Sequence, residues 1–277
     1  MTAAAALFER SKAGTDERPP SPGFAVERAV VRAEGRTLLD IEGLSFRPGE
    51  LCGLIGHNGS GKTTLLKLLA RQIKADEGTI LYGGQALSDF GAREYACQVA
   101  WLPQALPAAE SLTVAELVAL GRYPWHGALG RFSAEHQRAC DKAIAATGIE
   151  PFADRLVDTL SGGERQRAWL AMLIAQQPEC MLLDEPIAAL DLVHQVSVME
   201  LVHSCARERG MAVVVVLHDV NIAARFCDRI VALRGGRVIQ DCAPAELMTP
   251  QVLEEVYGLP MRVVTHPDSG APLGFAR

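Results

Sequence analysis

The chain has 277 residues, of which 49% are hydrophobic, and its formal net charge is -6. This length suffices for one or two domains with a large core, and the acidic balance argues against a protein that binds nucleic acid through phosphate attraction. No apolar run approaches the roughly 18 residues needed to span a bilayer, and the opening MTAAAALFERSK is not expected to be a signal peptide. Seven scattered cysteines without a C-x-x-C pair predict reduced thiols packed in the core.

The first part of the chain predicts a tail followed by a β lobe. Residues 1–23 mix alanine, serine, paired prolines and charges of both signs, which is typical of a disordered tail. The stretch 24–46 alternates in short β-type runs and breaks at Glu34-Gly35, which predicts antiparallel strands with a hairpin turn. GTILYGGQAL, residues 78–87, predicts a further strand with a Gly-Gly turn.

The glycine-rich stretch GHNGSGKTTLL begins at residue 56, between an apolar run and a helical pattern of leucines. Strand, glycine turn and helix form the setting in which G-x-x-x-x-G-K-T is a P-loop rather than a flexible Gly/Ser turn. Its backbone N–H groups and the helix N-terminus favour an anion, and Lys62 and Thr63 are suited to phosphate and Mg²⁺. The nucleotide-binding residues predicted here are Gly56, His57, Asn58, Gly59, Ser60, Gly61, Lys62, Thr63 and Thr64.

Helical patterns dominate from about residue 105 to 160. Thr113 with Glu116 three residues later forms a capping-box pattern, and Ser133 and Gly148 mark the two ends of another helix. Strand and helix patterns alternate beyond this segment and end in a hairpin over 229–242. This order predicts a parallel sheet covered on both faces, with the helical segment inserted into it. Residues 245–264 predict a helix and a strand packed on the core.

The stretch CMLLDEP, residues 180–186, ends an apolar strand with two adjacent carboxylates. Ligands bind at the carboxyl ends of parallel strands, and successive side chains point to opposite faces. We therefore expect Asp184 to hold Mg²⁺ through its hydration shell and Glu185 to orient and deprotonate the attacking water. A solvated strand end is the alternative, and the P-loop upstream makes it the weaker one.

The stretch LSGGERQR, residues 160–167, predicts a second helix N-terminus suited to an anion. A serine-capped helix after a glycine turn is the plain structural alternative. One P-loop already binds one triphosphate, so a second phosphate-binding element has no use within the same site. It gains a use if two copies of the chain pair head to tail and each closes the nucleotide site of the other.

Together, GHNGSGKTT, WLPQ, LSGGERQR, CMLLDEP, IAALD and VLHD resemble the ATP-binding subunits of ABC transporters. The resemblance covers roughly residues 24–264 as an ATPase domain, with a helical subdomain inserted at about 105–165 and a C-terminal tail over 265–277. It implies an α/β fold: a P-loop NTPase of ABC ATPase type with a mainly parallel sheet core and an antiparallel β lobe. It also implies binding of ATP and Mg²⁺ and hydrolysis of ATP.

The resemblance implies further roles by position. Ser161, Gly162 and Gly163 meet the γ-phosphate of ATP held by the partner copy, and Asp191 lies at the dimer seam. Gln104 reaches Mg²⁺ and the attacking water. His218 contacts the γ-phosphate, although a histidine at the end of a buried strand is more often a hydrogen-bonded core residue. The implied catalytic residues are thus Glu185, His218 and Gln104, and the implied Mg²⁺ residues are Thr63, Gln104 and Asp184.

The chain departs from the family pattern in two places. The family usually places an aromatic residue in the first β segment to stack on adenine, but that position falls near Arg32 or Ala33, with no aromatic between Phe24 and Phe46. A guanidinium plane can stack on a base, so Arg32 is the candidate substitute, and base discrimination is expected to weaken. PIAALD also lacks the usual Thr-Ser pair, while its aspartate remains.

The stretch TVAELVALGRYPWHGALGRF, residues 113–132, resembles the ATPases of iron-chelate importers, and most closely those of ferric hydroxamate importers. The resemblance implies a homodimer, peripheral on the cytoplasmic face of the bacterial inner membrane, that binds an integral membrane permease. A periplasmic or lipid-anchored substrate-binding protein is implied as an indirect partner, and no nucleic acid. Tyr123, Trp125 and His126 are then either a dock for the permease or a packed surface loop.

Several alternatives stay open at this point. The cargo could be another chelate, such as a catecholate siderophore, haem or cobalamin. A soluble ABC ATPase acting on ribosomes or DNA is less favoured, because the chain has a single cassette and an importer-like insertion. A nucleotide-binding regulator without turnover is disfavoured by the presence of Glu185 and Gln104.

Overall fold

A computed structural model describes residues 23–128 and 130–277. The tail expected over residues 1–23 therefore lies, except for Gly23, outside the described residues. All seven cysteines are free, and five of them are buried, as the sequence predicted for core thiols. In the part of the chain that the structure describes, no helix has the length and apolar character needed to cross a membrane.

The described residues form thirteen strands in three sheets, together with ten α-helices. The strands are β1 (Phe24–Ala33), β2 (Arg36–Ile41), β3 (Leu44–Phe46), β4 (Leu51–Ile55), β5 (Glu77–Tyr82), β6 (Gln85–Ala86), β7 (Val99–Leu102), β8 (Cys180–Asp184), β9 (Ala212–Val216), β10 (Arg229–Arg234), β11 (Arg237–Cys242), β12 (Met261–Thr265) and β13 (Pro272–Ala276). The helices are α1 (Lys62–Leu69), α2 (Ala92–Gln98), α3 (Val114–Leu120), α4 (Tyr123–His126), α5 (Ala134–Ala146), α6 (Gly162–Gln176), α7 (Leu192–Arg209), α8 (Val220–Phe226), α9 (Pro244–Leu247) and α10 (Pro250–Tyr257).

The N-terminal lobe is an antiparallel sheet in the order β2-β1-β5-β6, with β3 also paired to β1. The predicted hairpin between β1 and β2 is confirmed, and its turn residues Glu34 and Gly35 have φ values of 51° and 74°. Helix α1 packs between this lobe and the central sheet, and its four leucines are at most 3% exposed. The helix that follows the glycine turn is therefore held on both sides.

The central sheet has the strand order β11-β10-β4-β9-β8-β7, and all its neighbouring pairs are parallel except β10 with β11. Side chains along β4 alternate between two cores: Leu51 and Ile55 belong to one, Cys52 and Leu54 to the other. The strand is thus buried on both faces, which explains why it is a continuous apolar run. The predicted parallel sheet with two covered faces is confirmed.

Helices α3 and α5 lie within the helical segment expected at about 105–160, α6 follows it, and all three share one core with the central sheet. The capping box at its start is confirmed: Thr113 Oγ1 accepts from Glu116 N at 3.2 Å, and Glu116 Oε2 accepts from Thr113 N at 2.8 Å. Ser133 caps α5, accepting from His136 N at 3.4 Å, and Gly148 adopts a φ of 62° just beyond the helix. Local capping chemistry therefore sets these helix ends.

The C-terminal segment packs on the core through two elements. Helix α10 buries Leu253 and Val256, and β12 pairs with β13 in an antiparallel hairpin. The helix and strand predicted over 245–264 are confirmed. Residues 272–276, within the segment named as a C-terminal tail, form the strand β13.

Gly78 in β5 provides a test of how the β lobe is packed. It has a φ of +96°, and a Cβ added there lies 2.0 Å from the carbonyl oxygen of Arg28 in β1. Gly84 is the matched control, because it has a φ of +83° but no atom within 4 Å of the added Cβ. Backbone strain alone costs about 1 kcal/mol. We therefore expect Gly84→Ala to lower the free energy of unfolding by about that much, and Gly78→Ala to lower it by about 3 kcal/mol. Urea unfolding measures both, and equal losses would contradict the close strand contact.

Candidate nucleotide site

A cavity of about 510 Å³ opens at the carboxyl edge of the central sheet. The parallel register brings Leu54 of β4 and Asp184 of β8 level with Val216 of β9, and Leu102 of β7 level with Leu183. The residues just beyond these positions must therefore meet at one edge. The cavity is lined by Leu38, Asn58, Gly59, Ser60, Gly61, Lys62, Thr63, Thr64, Gln104, Glu185 and His218.

The glycine turn between β4 and α1 depends on backbone that only glycine adopts readily. Gly56 has a φ of 137°, and a Cβ there would lie 2.2 Å from the carbonyl oxygen of Leu233. Gly61 has a φ of 105° and directly precedes the first residue of α1. The turn therefore delivers the free N–H groups of the helix N-terminus to the cavity, as a phosphate site requires.

Lys62 is held in place by the turn itself. Its side chain is buried, and Nζ donates to the carbonyl oxygens of Gly56 at 2.7 Å and His57 at 3.0 Å. Burial lowers the pKa of this ammonium, while the carboxylates of Glu185 and Asp184 act in the opposite direction. The turn thus fixes a cation at the floor of the cavity before any anion binds.

Asp184 and Thr63 form a pair of oxygen groups beside Lys62. The Thr63 hydroxyl donates to Asp184 Oδ1 at 3.2 Å, and Asp184 is 1% exposed. Burial raises the pKa of Asp184, and the hydrogen bond from Thr63 lowers it. Asp184 Oδ2 is buried without a hydrogen-bond partner among the described residues. Such a carboxylate oxygen is available to bind a cation. The oxygen atoms of Asp184 and Thr63 are hard ligands of the kind that Mg²⁺ prefers.

Glu185 lies at the centre of the catalytic candidates. Gln104 Nε2 donates to Glu185 Oε1 at 2.9 Å, and His218 Nε2 lies 2.6 Å from the same oxygen. Glu185 also has a φ of 54°, a left-handed conformation that is strained for a residue with a side chain. The ends of three neighbouring strands therefore converge on one carboxylate oxygen.

The LSGGERQR residues lie elsewhere. Ser161 caps α6 and is exposed, and its Oγ accepts from Glu164 N at 3.3 Å. A Cβ at Gly163 would lie 3.2 Å from Leu190 Cδ2, so this helix start packs beside the loop that leads to Asp191. Ser161, Gly162, Gly163 and Asp191 are not among the residues that line the cavity. One chain therefore carries two separate groups of predicted site residues.

Arg32, the sequence candidate for stacking on adenine, lies in β1. The Arg32 guanidinium is paired with Glu77, with Nη2 2.6 Å from Oε1, and Arg32 does not line the cavity. Leu38 lines it instead and is 40% exposed. Sequence reasoning missed Leu38 because no motif marks it. Its place depends on a long-range contact, in which the backbone of β2 meets Gly236 in the turn between β10 and β11.

The GRYPWHG loop, residues 121–127 around the short helix α4, is both packed and exposed. Arg122 is buried and donates to the Ala175 carbonyl oxygen at 2.8 Å, and Trp125 Nε1 donates to that of Gln176 at 2.7 Å. Both acceptors lie in the last turn of α6. Yet Tyr123 is 52% exposed and Trp125 43%. The loop is therefore fixed to the end of α6 while its aromatic rings face outward.

The fold and the site geometry define a P-loop nucleotide-binding protein. A family model described as ABC transporter matches residues 39–188. The chain is 38% identical over 250 residues to the iron(3+)-hydroxamate import ATP-binding protein FhuC of Bacillus subtilis, covering 90% of this chain and 93% of that protein. It is 41% identical over 225 residues to the ferric enterobactin transport ATP-binding protein FepC of Escherichia coli, covering 81% and 83%.

A solved dimeric bacterial ABC transporter cassette superposes with a TM-score of 0.71 at 27% identity, covering 80% of this chain and 98% of that one. The chain therefore belongs to the ABC transporter family. As an ATP-binding cassette of that family, it binds and hydrolyses ATP.

Lys62 provides the direct test of the phosphate site. We expect Lys62→Ala to weaken ATP binding at least 100-fold, because it removes the cation that the turn holds in place. Lys74→Ala is the matched control, because Lys74 is exposed beyond the end of α1. Equilibrium binding of a fluorescent ATP analogue measures both. Unchanged binding by Lys62→Ala would rule out the cavity as the phosphate site.

Proposed function

We propose that this chain is the ATP-hydrolysing subunit of an ABC importer for iron chelates, with ferric hydroxamates as cargo. Two copies form a homodimer on the cytoplasmic face of the bacterial inner membrane, beneath an integral membrane permease. The single observation that carries the ATPase part is the convergence of Lys62, Gln104, Glu185 and His218 on one cavity. The transport part rests on the family and on the GRYPWHG loop.

ATP binds through the P-loop of the ATPase domain, which we place at residues 24–264. The N–H groups around Gly59 and Gly61 face the phosphates, and Lys62 neutralises the β- and γ-oxygens. Leu38 packs against the base by apolar contact alone. An aliphatic contact discriminates poorly between bases that differ in polar groups, so most binding energy comes from the triphosphate.

Thr63 and Asp184 would hold Mg²⁺, with Gln104 close by. These residues fit the ion because the buried Asp184 Oδ2 lacks a hydrogen-bond partner among the described residues and the Thr63 hydroxyl lies beside the same carboxylate. When bound, the ion supplies charge neutralisation to the phosphate oxygens. Without it, Asp184 holds a buried negative charge that is only partly compensated.

Glu185 acts as the general base. A water molecule attacks the γ-phosphorus, its proton passes to the Glu185 carboxylate, and the bond to the bridging oxygen breaks with its electron pair leaving on ADP. Gln104 and His218 hold Glu185 Oε1 at 2.9 and 2.6 Å and thereby fix its direction. Once ATP is present, we expect Gln104 to reach Mg²⁺ and the attacking water, and His218 to contact the γ-phosphate from its place beside Glu185.

The second copy completes the site. Ser161, Gly162 and Gly163 do not line the cavity of their own chain, and a helix start with an exposed serine suits a phosphate. Head-to-tail pairing brings them to the γ-phosphate bound by the partner and places Asp191 at the seam. Leu192 and Val193, directly after Asp191, are 72% and 73% exposed, which fits a surface that becomes covered.

The permease docks on the GRYPWHG loop. Tyr123 and Trp125 expose aromatic rings, which suit an interface because they combine an apolar body with a polar edge. Arg122 and Trp125 connect this loop to the last turn of α6, whose first turn carries Gly162 and Gly163. A rigid helix thus connects the membrane-facing loop with the residues that close on ATP. A periplasmic or lipid-anchored binding protein delivers the cargo to the permease.

Glu185→Gln separates binding from hydrolysis. It keeps the size of the side chain and removes the base, so we expect ATP to bind normally and kcat to fall about 10²- to 10⁴-fold. Glu200→Gln, on the exposed face of α7, is the control and should leave kcat unchanged. A phosphate-release assay decides, and near-normal turnover by Glu185→Gln would remove Glu185 from this role.

Radioiron uptake tests the transport assignment and the cargo. Cells that lack this chain would be complemented with the wild type or with Glu185→Gln. They would be offered a ferric hydroxamate, a catecholate chelate, haem and labelled cobalamin. We expect hydroxamate uptake to return with the wild type only. Uptake of a different cargo would keep the ATPase role and discard the hydroxamate. Unchanged uptake of every cargo would contradict the importer assignment and favour a soluble partner, which membrane fractionation would reveal.

A further inference from the structure

His218 lies in the short connection between β9 and α8, two residues before the helix begins, and a small cavity adjoins it. It directly precedes Asp219, whose Oδ1 accepts from Asn221 N at 2.7 Å and Ile222 N at 3.3 Å to cap α8. A second cavity of about 120 Å³ lies between this first turn and Gln195 of α7, with Glu185 and His218 in its wall. Packing on this side therefore leaves room for the histidine to move, because a void provides no contact atoms.

The first turn of α8 is also held by the C-terminal hairpin, defined here as β12 and β13. Asn221 Nδ2 donates to the Gly274 carbonyl oxygen at 3.0 Å, and Gly274 N donates to Asn221 Oδ1 at 2.8 Å. The side-chain amide thus pairs with the backbone of β13 in both directions, across 53 residues of sequence. Two hydrogen bonds at one amide fix its orientation as well as its position.

Gly274 has no room for a side chain at this contact. An added Cβ would lie 2.9 Å from Leu253 Cδ1 of α10, 3.5 Å from Met248 Cε and 3.6 Å from Val220 Cγ1 of α8. The backbone of β13 is therefore pressed directly against α8, with the side chain of Leu253 behind it. Tyr257 of the same α10 helix lies close enough that the charge of Asp219 contributes to its raised pKa of about 12, of which burial is the main cause.

We infer that Asn221 is a positioning residue for hydrolysis: through its clasp with Gly274, the C-terminal hairpin holds the first turn of α8 so that His218 reaches Glu185. The inference rests on the proposed role of His218. A loose first turn would let the imidazole swing into the small cavity and away from the 2.6 Å contact with Glu185. Among the described residues, Asn221 and Gly274 do not line the nucleotide cavity, so we expect ATP affinity to change little when the clasp is lost.

A double-mutant cycle in the full-length chain tests the inference. The variants are Asn221→Ala, His218→Ala and the double mutant, assayed for kcat and KM of ATP hydrolysis. We expect Asn221→Ala to lower kcat about five-fold with KM unchanged, and His218→Ala to lower it more than ten-fold. The double mutant should match His218→Ala within two-fold, because Asn221 has nothing left to position. Arg262→Ala, exposed on β12, is the control for general damage to the hairpin.

The measured kcat values distinguish a failure of the positioning role of Asn221 from a failure of the role of His218. If kcat of the double mutant falls by the product of the two single-mutant losses, or if Asn221→Ala keeps its kcat, the inference is overturned while His218 keeps its role. An unaffected His218→Ala would overturn the role of His218 and the inference with it. If Asn221→Ala does not fold, Gly274→Ala replaces it, because its Cβ displaces β13 and leaves Asn221 intact. The same loss of kcat, absent in the His218→Ala background, is then expected.

Discussion

The parallel register of β4, β9, β8 and β7 is the constraint on which the site depends. Each strand is buried on both faces, so a slip by one residue would move its side chains into the wrong core. With the register fixed, four carboxyl ends must meet at one edge. The glycine turn follows one of them, and Gln104, Glu185 and His218 follow the other three. Residues up to 162 positions apart in sequence thus need only short loops to converge on one cavity.

Residues that depend on local chemistry could be predicted from the sequence. The capping box at Thr113 and the glycine turn before Lys62 are set by neighbours within a few residues. The buried strands follow from apolar runs whose length and flanks leave few alternatives. The sequence therefore indicated the sheet, the inserted helices and the residues around the cavity.

Residues whose place depends on distant backbone could not be found in this way. Leu38 reaches the cavity because β2 meets the turn at Gly236, and Asn221 meets Gly274 across the C-terminal hairpin. No local pattern distinguishes either residue from an ordinary leucine or a helix-start asparagine. In the same way, no local pattern indicates that Arg32, the candidate for stacking on adenine, pairs with Glu77 on a different strand.

The separation of the two groups of site residues gives α6 its importance. The helix has 15 residues and spans roughly 22 Å, from the exposed Gly162 to the last turn that holds Trp125. Because most of its side chains are buried, we expect a displacement at one end of this helix to be transmitted to the other. Under the proposed function, the cavity and α6 of one chain serve different nucleotide sites, and a second copy completes each site.

Complementation between two inactive variants tests this composite site most directly. Lys62→Ala lacks the ammonium group that contacts the phosphates. Ser161→Asp keeps a good helix cap but places a carboxylate where the γ-phosphate of the partner binds. Each variant alone should hydrolyse ATP at a background rate. An equimolar mixture should regain activity, because each mixed dimer contains one intact site, about a quarter of all sites at random pairing. A mixture as inactive as its components would contradict the composite site.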